Sequence, residues 1–354
     1  VGRRYFAATG NANFGYFGGG GNPSAIATVD RIDYSNDTAT AVAKGPLSSA
    51  RYGLGATGNA SFGYFGAGSG PSSTVDRIDY SNDTETASAK GPLSFARNYS
   101  TATSSRANAI PLENIVNYAA GTLATPNTGY FAGGRTTPAL STVERIDYSN
   151  DTATASVRGQ LNTAQLFAAA TGNSSFGYHG GGGPYNAQKS SVDRIDYLND
   201  TATAVAKGPL SVARIGLSAV GNANFGYFAS GVYPTPITTV DRIDYSNDSA
   251  TASPKGPLSA GRRYLAATGN QDFGYIGGGN GPVSTVDRID YSSDTGTTPA
   301  KGPLSLARVQ LAATGNASFG YFGGGHPAKS TVDRIDYSNY TATAVEKGPL
   351  CYAR

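Results

Sequence analysis

The sequence VDRIDY (residues 29–34) is repeated seven times along the chain and decides the fold. The third copy reads VERIDY, and the copies begin at Val29, Val75, Val143, Val192, Val240, Val286 and Val332. Successive starts lie 46, 68, 49, 48, 46 and 46 residues apart. Repeats of about 20–50 residues are typical of propellers and solenoids. The sequence therefore predicts one repetitive fold rather than several unrelated domains.

The unit around each hexapeptide divides into four short runs. In residues 263–308 these runs are YLAATG, FGYIGG, STVDRIDY and TGTTPA, and turn residues such as Gly-Asn, Ser-Asp and Gly-Pro separate them. Short alternating runs bounded by Gly, Pro, Asn and Ser indicate β-strands. Four strands in each of seven units predict an all-β fold, a seven-bladed β-propeller with four antiparallel strands per blade. The alternative is an open β-solenoid, which needs no fixed number of units.

We expect a single domain, because the repeat fills residues 1–354. The dipeptides at residues 2–3 and 353–354 occupy the same repeat position, so the chain is expected to go once round the ring and meet itself. The sequence contains no Met, which indicates that the chain is processed or cut from a longer one. The predicted blades cover residues 1–48, 49–94, 95–161, 162–211, 212–259, 260–305 and 306–354, with an insertion at about 104–126.

Composition argues against several classes of function. The net charge is +3 and most charged residues recur at fixed repeat positions, so no basic patch for nucleic acid is expected. No segment is apolar and long enough to enter a membrane. The only histidines, His179 and His326, are far apart in sequence and the single Cys351 has no partner. A catalytic metal site needs about three protein ligands. We therefore expect no metal and no cofactor.

The hexapeptide itself carries acids and an arginine in every unit. Strand alternation places Arg31 and Asp33 on one face of the blade and Asp30 on the other. Neighbouring blades cover both faces, so these groups are expected to form structural ion pairs. Enzyme sites use unlike groups that converge once, whereas this set recurs seven times, and we expect no enzymatic activity. The predicted ion-pair residues in the first two units are Asp30, Arg31, Asp33, Asp76, Arg77 and Asp79.

The turn after each hexapeptide has oxygen-bearing side chains at alternate positions. In the first unit it reads DYSND (residues 33–37), as calcium loops begin, but it lacks their glycine and their distal acid. Asn and Asp favour tight turns because their side chains bond to nearby backbone. We interpret the segment as a turn and not as a calcium site.

These features resemble the kelch repeat. The matching elements are the Gly-Gly pair after an aromatic strand, the VDRIDY strand, the Ser-Asn-Asp turn and the KGPLSxAR segment, and they span all seven units. The tryptophan of the last kelch strand is absent throughout, so the chain is a kelch-like variant. The resemblance implies a seven-bladed ring with the first strand innermost. The segments SNDTATA and KGPL also resemble the sequences of uncharacterised repeat proteins of marine tailed phages, especially cyanophages.

Binding residues are expected where the units differ. The loop between the second and third strands varies in every unit, and all seven loops should share one face of the disc. Loops on a rigid scaffold are common recognition sites, although neutral drift also produces variable loops. The predicted binding residues in these loops are Asn22, Pro23, Arg135, Tyr185, Asn186, Lys189, Tyr233, His326 and Lys329.

The insertion has a pattern of its own. Pro111 is suited to the first turn of a helix, and Leu112, Ile115 and Val116 follow at helical spacing, with Tyr118 beyond them. The sequence thus predicts a short helix whose apolar stripe contacts either its own disc or a partner protein. We assign it as a partner contact, because the other units do without it.

The position of the insertion depends on which segment forms the inner strand of the third blade. Residues 99–103 would place the insertion on the face opposite the variable loops, whereas residues 121–125 would place it on the same face. The sequence leaves both open.

Taken as a whole, the sequence predicts a non-enzymatic structural or binding module. The first hypothesis is a surface component of a tailed phage virion that displays the propeller for assembly or host attachment. The alternative is an extracellular carbohydrate-binding propeller. The expected partners are other proteins of an assembly or a surface glycan, and the expected location is the virion or the extracellular space.

Overall fold

The computed structural model describes residues 2–104, 127–136, 138–184, 186–232, 235–327 and 329–350. Within these residues the strands form seven sheets of four strands each, and every sheet is built from consecutive strands. All pairings in the sheets are antiparallel, as in the first blade, where Tyr16 pairs with Arg31 and Thr9 with Tyr16. The predicted seven-bladed propeller is confirmed. The described part of the chain contains no helix.

The strands of each blade run outward from the ring axis in chain order. The first strands are β1 (Ala7–Gly10), β5 (Gly55–Gly58), β9 (Thr101–Ser104), β13 (Ala169–Gly172), β17 (Ser218–Gly221), β21 (Ala266–Gly269) and β25 (Ala312–Gly315). The second strands are β2 (Phe14–Gly18), β6 (Phe62–Gly66), β10 (Thr128–Ala132), β14 (Phe176–Gly180), β18 (Phe225–Ala229), β22 (Phe273–Gly277) and β26 (Phe319–Gly323).

The outer half of each blade has the hexapeptide strand and a short edge strand. The third strands are β3 (Val29–Asp33), β7 (Val75–Asp79), β11 (Val143–Asp147), β15 (Val192–Asp196), β19 (Val240–Asp244), β23 (Val286–Asp290) and β27 (Val332–Asp336). The fourth strands are β4 (Val42–Lys44), β8 (Ser88–Ala89), β12 (Ser156–Val157), β16 (Val205–Lys207), β20 (Ser253–Lys255), β24 (Ala300–Lys301) and β28 (Val345–Lys347).

The two faces of the disc carry different connections. The loop face carries the connections from second to third strands and from one blade to the next, which are residues 19–28 and 45–54 around the first blade. The turn face carries the tight turns within a blade, residues 11–13 and 34–41 in the first blade. The loops with the predicted binding residues therefore lie on the loop face.

The structure decides where the insertion is attached. The inner strand of the third blade is Thr101–Ser104, which pairs with Thr128–Ala132. Residues 105–126 thus connect a first strand to a second strand, and both flanking residues, Ser104 and Asn127, lie at the turn face. The predicted helix and its residues Leu112, Ile115, Val116 and Tyr118 lie outside the described residues. No helix in the described residues is long and apolar enough to cross a membrane.

The core lies between neighbouring blades. Tyr16 of the first blade stacks on Tyr80 of the second with ring centroids 4.7 Å apart, and both are buried. Phe65 of the second blade fills the space beside Gly18, where an added Cβ would lie 2.6 Å from the phenyl ring. The glycine at the end of the second strand is therefore required by the close approach of the next blade.

Candidate functional site

An aspartate from each Ser-Asn-Asp turn reaches into the preceding blade. Asp83 accepts hydrogen bonds from the Tyr16 hydroxyl at 2.7 Å and from Arg31 at 2.8 Å, and it lies 2.9 Å from the Lys44 ammonium. Burial alone would raise the pKa of Asp83, but the bonds from Lys44 and Tyr16 outweigh burial and lower it. We call this residue the interblade aspartate.

The same contact is made at five further interfaces. The interblade aspartates in chain order are Asp37, Asp83, Asp151, Asp200, Asp248 and Asp294, and each accepts from a tyrosine and an arginine of the blade before it. Asp37 of the first blade binds Tyr321 and Arg334 of the seventh, so this contact also closes the ring. These carboxylates are structural ties between blades.

A second buried ion pair lies within six of the seven blades. Arg3 and Asp30 are 2.7 Å apart with both side chains 0% exposed, and Arg51 and Asp76 are 2.8 Å apart. The arginine comes from the Ala-Arg or Gly-Arg position that precedes each first strand. A buried arginine beside a carboxylate is stable only when its other N–H groups are also bonded, and Arg3 donates to the carbonyl of Phe17.

The predicted ion-pair residues are thus distributed over three roles. Asp30 and Asp76 bind the arginine before the first strand, and Arg31 and Arg77 bind the interblade aspartate of the next blade. Asp33 and Asp79 instead cap the following turn, where each accepts the backbone N–H and the hydroxyl of a serine two residues on. These bonds lower the pKa of both carboxyls.

The predicted binding residues of the loop face are spread around its rim. Asn22, Pro23, Arg135, Asn186 and His326 are exposed, and they come from the loops of four different blades. His326 of the seventh blade lies 3.4 Å from the Arg4 guanidinium of the first blade.

The two lysines of the set are partly buried. Lys189 donates to the carbonyl of Ala164 at 2.6 Å, and the carbonyl of Lys329 accepts the backbone N–H of Arg3. Tyr185 and Tyr233 lie outside the described residues. The structure therefore does not gather the predicted loop residues into one cluster.

A different set of loop-face residues converges on the ring axis. Two residues before the start of each inner strand, all seven units have a residue with positive φ, between 52° and 68°. We call this set the axial mouth, and its members in chain order are Tyr5, Gly53, Tyr99, Phe167, Gly216, Tyr264 and Gln310. Left-handed backbone is easy for glycine but strained for bulky residues, at about 1–2 kcal/mol each.

Backbone hydrogen bonds join neighbouring mouth residues from Tyr5 to Tyr99 and from Phe167 to Gln310. The N–H of Gly53 donates to the carbonyl of Tyr5 at 2.7 Å, and the N–H of Tyr99 donates to the carbonyl of Gly53 at 2.8 Å. The same bond runs from Gly216 to Phe167, from Tyr264 to Gly216 and from Gln310 to Tyr264. This ladder around the axis explains why every unit needs the left-handed conformation at this position.

The aromatic side chains of the mouth touch one another in sequence. Ring centroids lie 5.9 Å apart for Tyr5 and Tyr99, 4.8 Å for Tyr99 and Phe167, and 6.2 Å for Phe167 and Tyr264. Gln310 completes the circle through a hydrogen bond from its amide to the Tyr5 hydroxyl. The two glycines leave room for this arc, since a Cβ on Gly53 would lie 3.0 Å from the Tyr99 ring.

The mouth lines an open cavity of about 220 Å³ on the axis. Two consecutive residues from every unit line it, and none of those in the described part of the chain is charged. Two polar atoms of the lining, Gln310 Oε1 and Ser100 Oγ, are buried and have no hydrogen-bond partner among the described residues.

Below the mouth the axis is lined by small residues of the inner strands. Alanines at the middle of the strands, together with Thr9, Thr57 and Thr103, form the walls of two further cavities. The threonines are engaged with the next blade, as in the 2.8 Å contact between the hydroxyls of Thr57 and Tyr148. The channel is therefore neutral along its described length.

The buried histidine is part of the core. His179 replaces the phenylalanine of the second strand in the fourth blade and is 0% exposed. Burial lowers its pKa to about 4, and its Nδ1 lies 2.8 Å from the hydroxyl of Thr101. In the residues that the structure describes, no group of three His, Cys, Asp or Glu side chains could hold a metal ion. Cys351 lies outside that part of the chain.

Comparison with known proteins supports the fold alone. No family model matches the chain, and no curated protein matches it either. A solved structure titled "Structure of YjhT" is similar over 85% of this chain and 94% of that one, with a TM-score of 0.58 and 12% sequence identity. A likeness at this identity establishes the propeller architecture and carries no statement about activity.

Proposed function

We propose that this chain is a non-enzymatic binding module of a tailed phage particle and that its loop face attaches the particle to a host surface. The propeller fold fits a binding module, since it offers a rigid disc with two open faces. The observation that carries the proposal is the placement of the differences between units. The repeated strands and turns are nearly identical, whereas the second-to-third-strand loops and the axial mouth differ from blade to blade.

The use of the charged groups supports a binding role over a catalytic one. The six interblade aspartates are each held by a tyrosine and an arginine, and the inner arginines are paired with buried carboxylates. An enzyme needs unlike titratable groups that converge on a cavity. The axial cavity is lined by aromatic, aliphatic and amide side chains instead.

The assignment to a virion rests on the sequence. The sequences of the units resemble those of phage repeat proteins. A rigid disc with one variable face also suits display in many copies on a particle. In this proposal the insertion contacts a neighbouring protein of the particle. Its attachment at the turn face leaves the loop face free to point outward.

An extracellular carbohydrate-binding propeller is the second candidate. The arc of four aromatic rings at the axial mouth favours it, because sugar rings stack on aromatic side chains. Both candidates use the same face, and they differ in whether the chain is part of a particle.

Competition for adsorption tests the first candidate. Host cells are incubated with the purified chain and then exposed to particles that carry it, and we expect fewer particles to adsorb. A matched variant in which the loop at residues 184–189 is replaced by the short loop at residues 69–71 should compete less well. Absence of the chain from purified particles by mass spectrometry would exclude the virion role, and cell binding by the isolated chain would then favour the second candidate.

Deletion of the insertion tests its role in assembly. Replacing residues 107–122 by a short Gly-Ser linker should leave the melting temperature nearly unchanged, because the other blades close without such a segment. Incorporation into particles should be lost. A variant that fails to fold would show that the insertion is internal packing.

A further inference from the structure

We propose that the axial mouth binds one neutral sugar residue of a surface glycan by stacking on its aromatic arc. This inference rests on the proposed attachment function and names the chemistry that the loop face recognises. The residues concerned are not those of the variable loops. They are the mouth residues Tyr5, Tyr99, Phe167, Tyr264 and Gln310, together with Ser100 at the next position of the third unit.

Glycine holds the same backbone conformation as the aromatic residues in two of the units. Gly53 and Gly216 occupy the mouth position in the second and fifth units and make backbone hydrogen bonds to the neighbouring mouth residues. Tyr99 and Phe167 adopt φ of 52° and 54° at the same position, where a bulky side chain is strained. Strained backbone persists mainly at functional sites. The structure thus retains aromatic rings at a position where glycine would suffice.

The aromatic rings are also partly accessible. Tyr5, Tyr99, Phe167 and Tyr264 are all half-buried, so each ring has one part packed in the arc and another part open to solvent. Aromatic side chains with a polar tip combine a large apolar surface with hydrogen bonding at low conformational entropy. A pyranose presents the complementary surface, because one side carries C–H groups and its edge carries hydroxyls.

The charge and size of the cavity restrict which ligands can bind there. Tyr, Phe, Gly, Leu, Ala, Ser and Gln side chains line the described part of the cavity, so a carboxylate or ammonium group would be desolvated there without a counter-charge. The cavity volume of about 220 Å³ lies below the range of about 300–1,000 Å³ that drug-sized ligands occupy. These limits select one uncharged ring, such as the terminal residue of a glycan.

Titration of the intact chain with small sugars tests the inference. The probes are the methyl pyranosides of glucose, galactose, mannose and N-acetylglucosamine, with glucuronate and glucosamine as charged counterparts. Binding is followed by saturation-transfer NMR and by tyrosine fluorescence, which no tryptophan obscures in this chain. We expect at least one neutral pyranoside to bind and its charged counterparts to bind about tenfold more weakly.

The key variants copy the glycine that other units already have. Tyr99→Gly and Phe167→Gly should fold as the wild type does, because they remove a strained side chain and keep the backbone hydrogen bonds between mouth residues. Each should weaken pyranoside binding by about tenfold. The matched control is Phe95→Ala, which removes an exposed aromatic ring that does not line the cavity, and it should leave the affinity unchanged.

The outcomes separate this inference from the proposed function. Binding of charged sugars alone, or equal affinity in the glycine variants, would overturn the sugar assignment. If no pyranoside binds while the chain still competes for particle adsorption, the mouth is not the site and attachment through other loop-face residues stands. If the chain neither binds sugars nor competes, the attachment function itself is wrong.

Discussion

The sixth and seventh blades meet through a tyrosine, whereas the other six interfaces use an aspartate. Tyr340 stands where the interblade aspartate is expected, and the cations of the sixth blade lie over its ring, with Arg288 at 3.9 Å and Lys301 at 4.9 Å from the centroid. The Tyr275 hydroxyl, which would have bound the aspartate, has no hydrogen-bond partner among the described residues. A cation–π contact thus replaces a charge-assisted hydrogen-bond network at this interface.

The difference shows what the repeated charges do. The ring closes with six interblade aspartates and one tyrosine in their place, so the repeated charges tie neighbouring blades together. The missing aspartate is compensated locally, since Arg288 and Lys301 lie over the Tyr340 ring. At the axial mouth, in contrast, four units have an aromatic residue where two others have glycine, and the aromatic rings pack against one another.

The largest effect is expected from the buried pairs within the blades. Asp30→Asn leaves the fully buried Arg3 without its counter-charge, and we expect the free energy of unfolding to fall by about 3–5 kcal/mol. In the fourth blade Gln165 replaces the arginine, and burial raises the pKa of its partner Asp193. The matched change Asp193→Asn should therefore cost less than about 1 kcal/mol. Equal losses in chemical denaturation would contradict the assignment of Arg3 and Asp30 as a pair.

Removing one interblade aspartate should have the next largest effect. Asp151→Ala deprives Tyr64 and Arg77 of their acceptor at the interface of the second and third blades, and Arg77 is 22% exposed. Because solvent partly compensates the arginine, we expect a loss of about 2–3 kcal/mol. Thermal and chemical unfolding should give the same loss of unfolding free energy. A loss below about 0.5 kcal/mol would mean that the aspartates do not tie the blades together.

Introducing the missing aspartate should have the opposite sign. Tyr340→Asp gives partners to the Tyr275 hydroxyl, Arg288 and Lys301 but removes their cation–π contacts. Satisfying a buried hydroxyl outweighs an exposed cation–π contact, and we expect a gain of about 1 kcal/mol at pH 7. Tyr340→Asn is the control, because it fills the same space without a charge and should give no gain. A destabilised Tyr340→Asp variant would show that Tyr340 stabilises this interface more than an aspartate does.

The sequence predicts the number and order of the blades because each VDRIDY copy has the alternation of a buried strand. Ile32 is 3% exposed inside the blade interface, and Arg31 on the other face reaches the next blade. The partner of Arg31 could not be predicted, since Asp83 lies 52 residues away and only the ring geometry brings the two together. The inner strand of the third blade was open for a similar reason, because two runs of small residues precede Thr128.

The axial mouth was missed although the sequence carries a signal for it. Gly53 and Gly216 share a repeat position with Tyr5 and Tyr99, and glycine that alternates with aromatic residues at one position indicates left-handed backbone. The convergence of these residues on the axis cannot be seen within a single unit. It follows from the closed ring, to which every unit contributes one residue.

The smallest effect is the pH dependence of the Tyr340→Asp gain. The interblade aspartates Asp83 and Asp248 have pKa values below the ordinary 3.8 in spite of burial, because lysine and tyrosine bonds favour the carboxylate. A carboxyl whose pKa is lowered by folding contributes its full stability above the unfolded pKa and loses it as the pH falls through the folded pKa. We expect the gain to be constant from pH 7 to about 5 and to shrink below pH 3.8. A gain that persists at pH 2 would show that the carboxylate charge is not its source.

The central claim is that the repeated residues hold the ring together while the axial mouth carries out recognition. Its most direct test replaces Tyr5, Tyr99, Phe167 and Tyr264 by glycine in one chain and measures melting temperature and binding to host cells on the same preparation. We expect a melting temperature within about 5 °C of the wild type, because the backbone hydrogen bonds between mouth residues remain. We also expect cell binding to be lost. Cell binding at the wild-type level by a folded quadruple variant would contradict the claim.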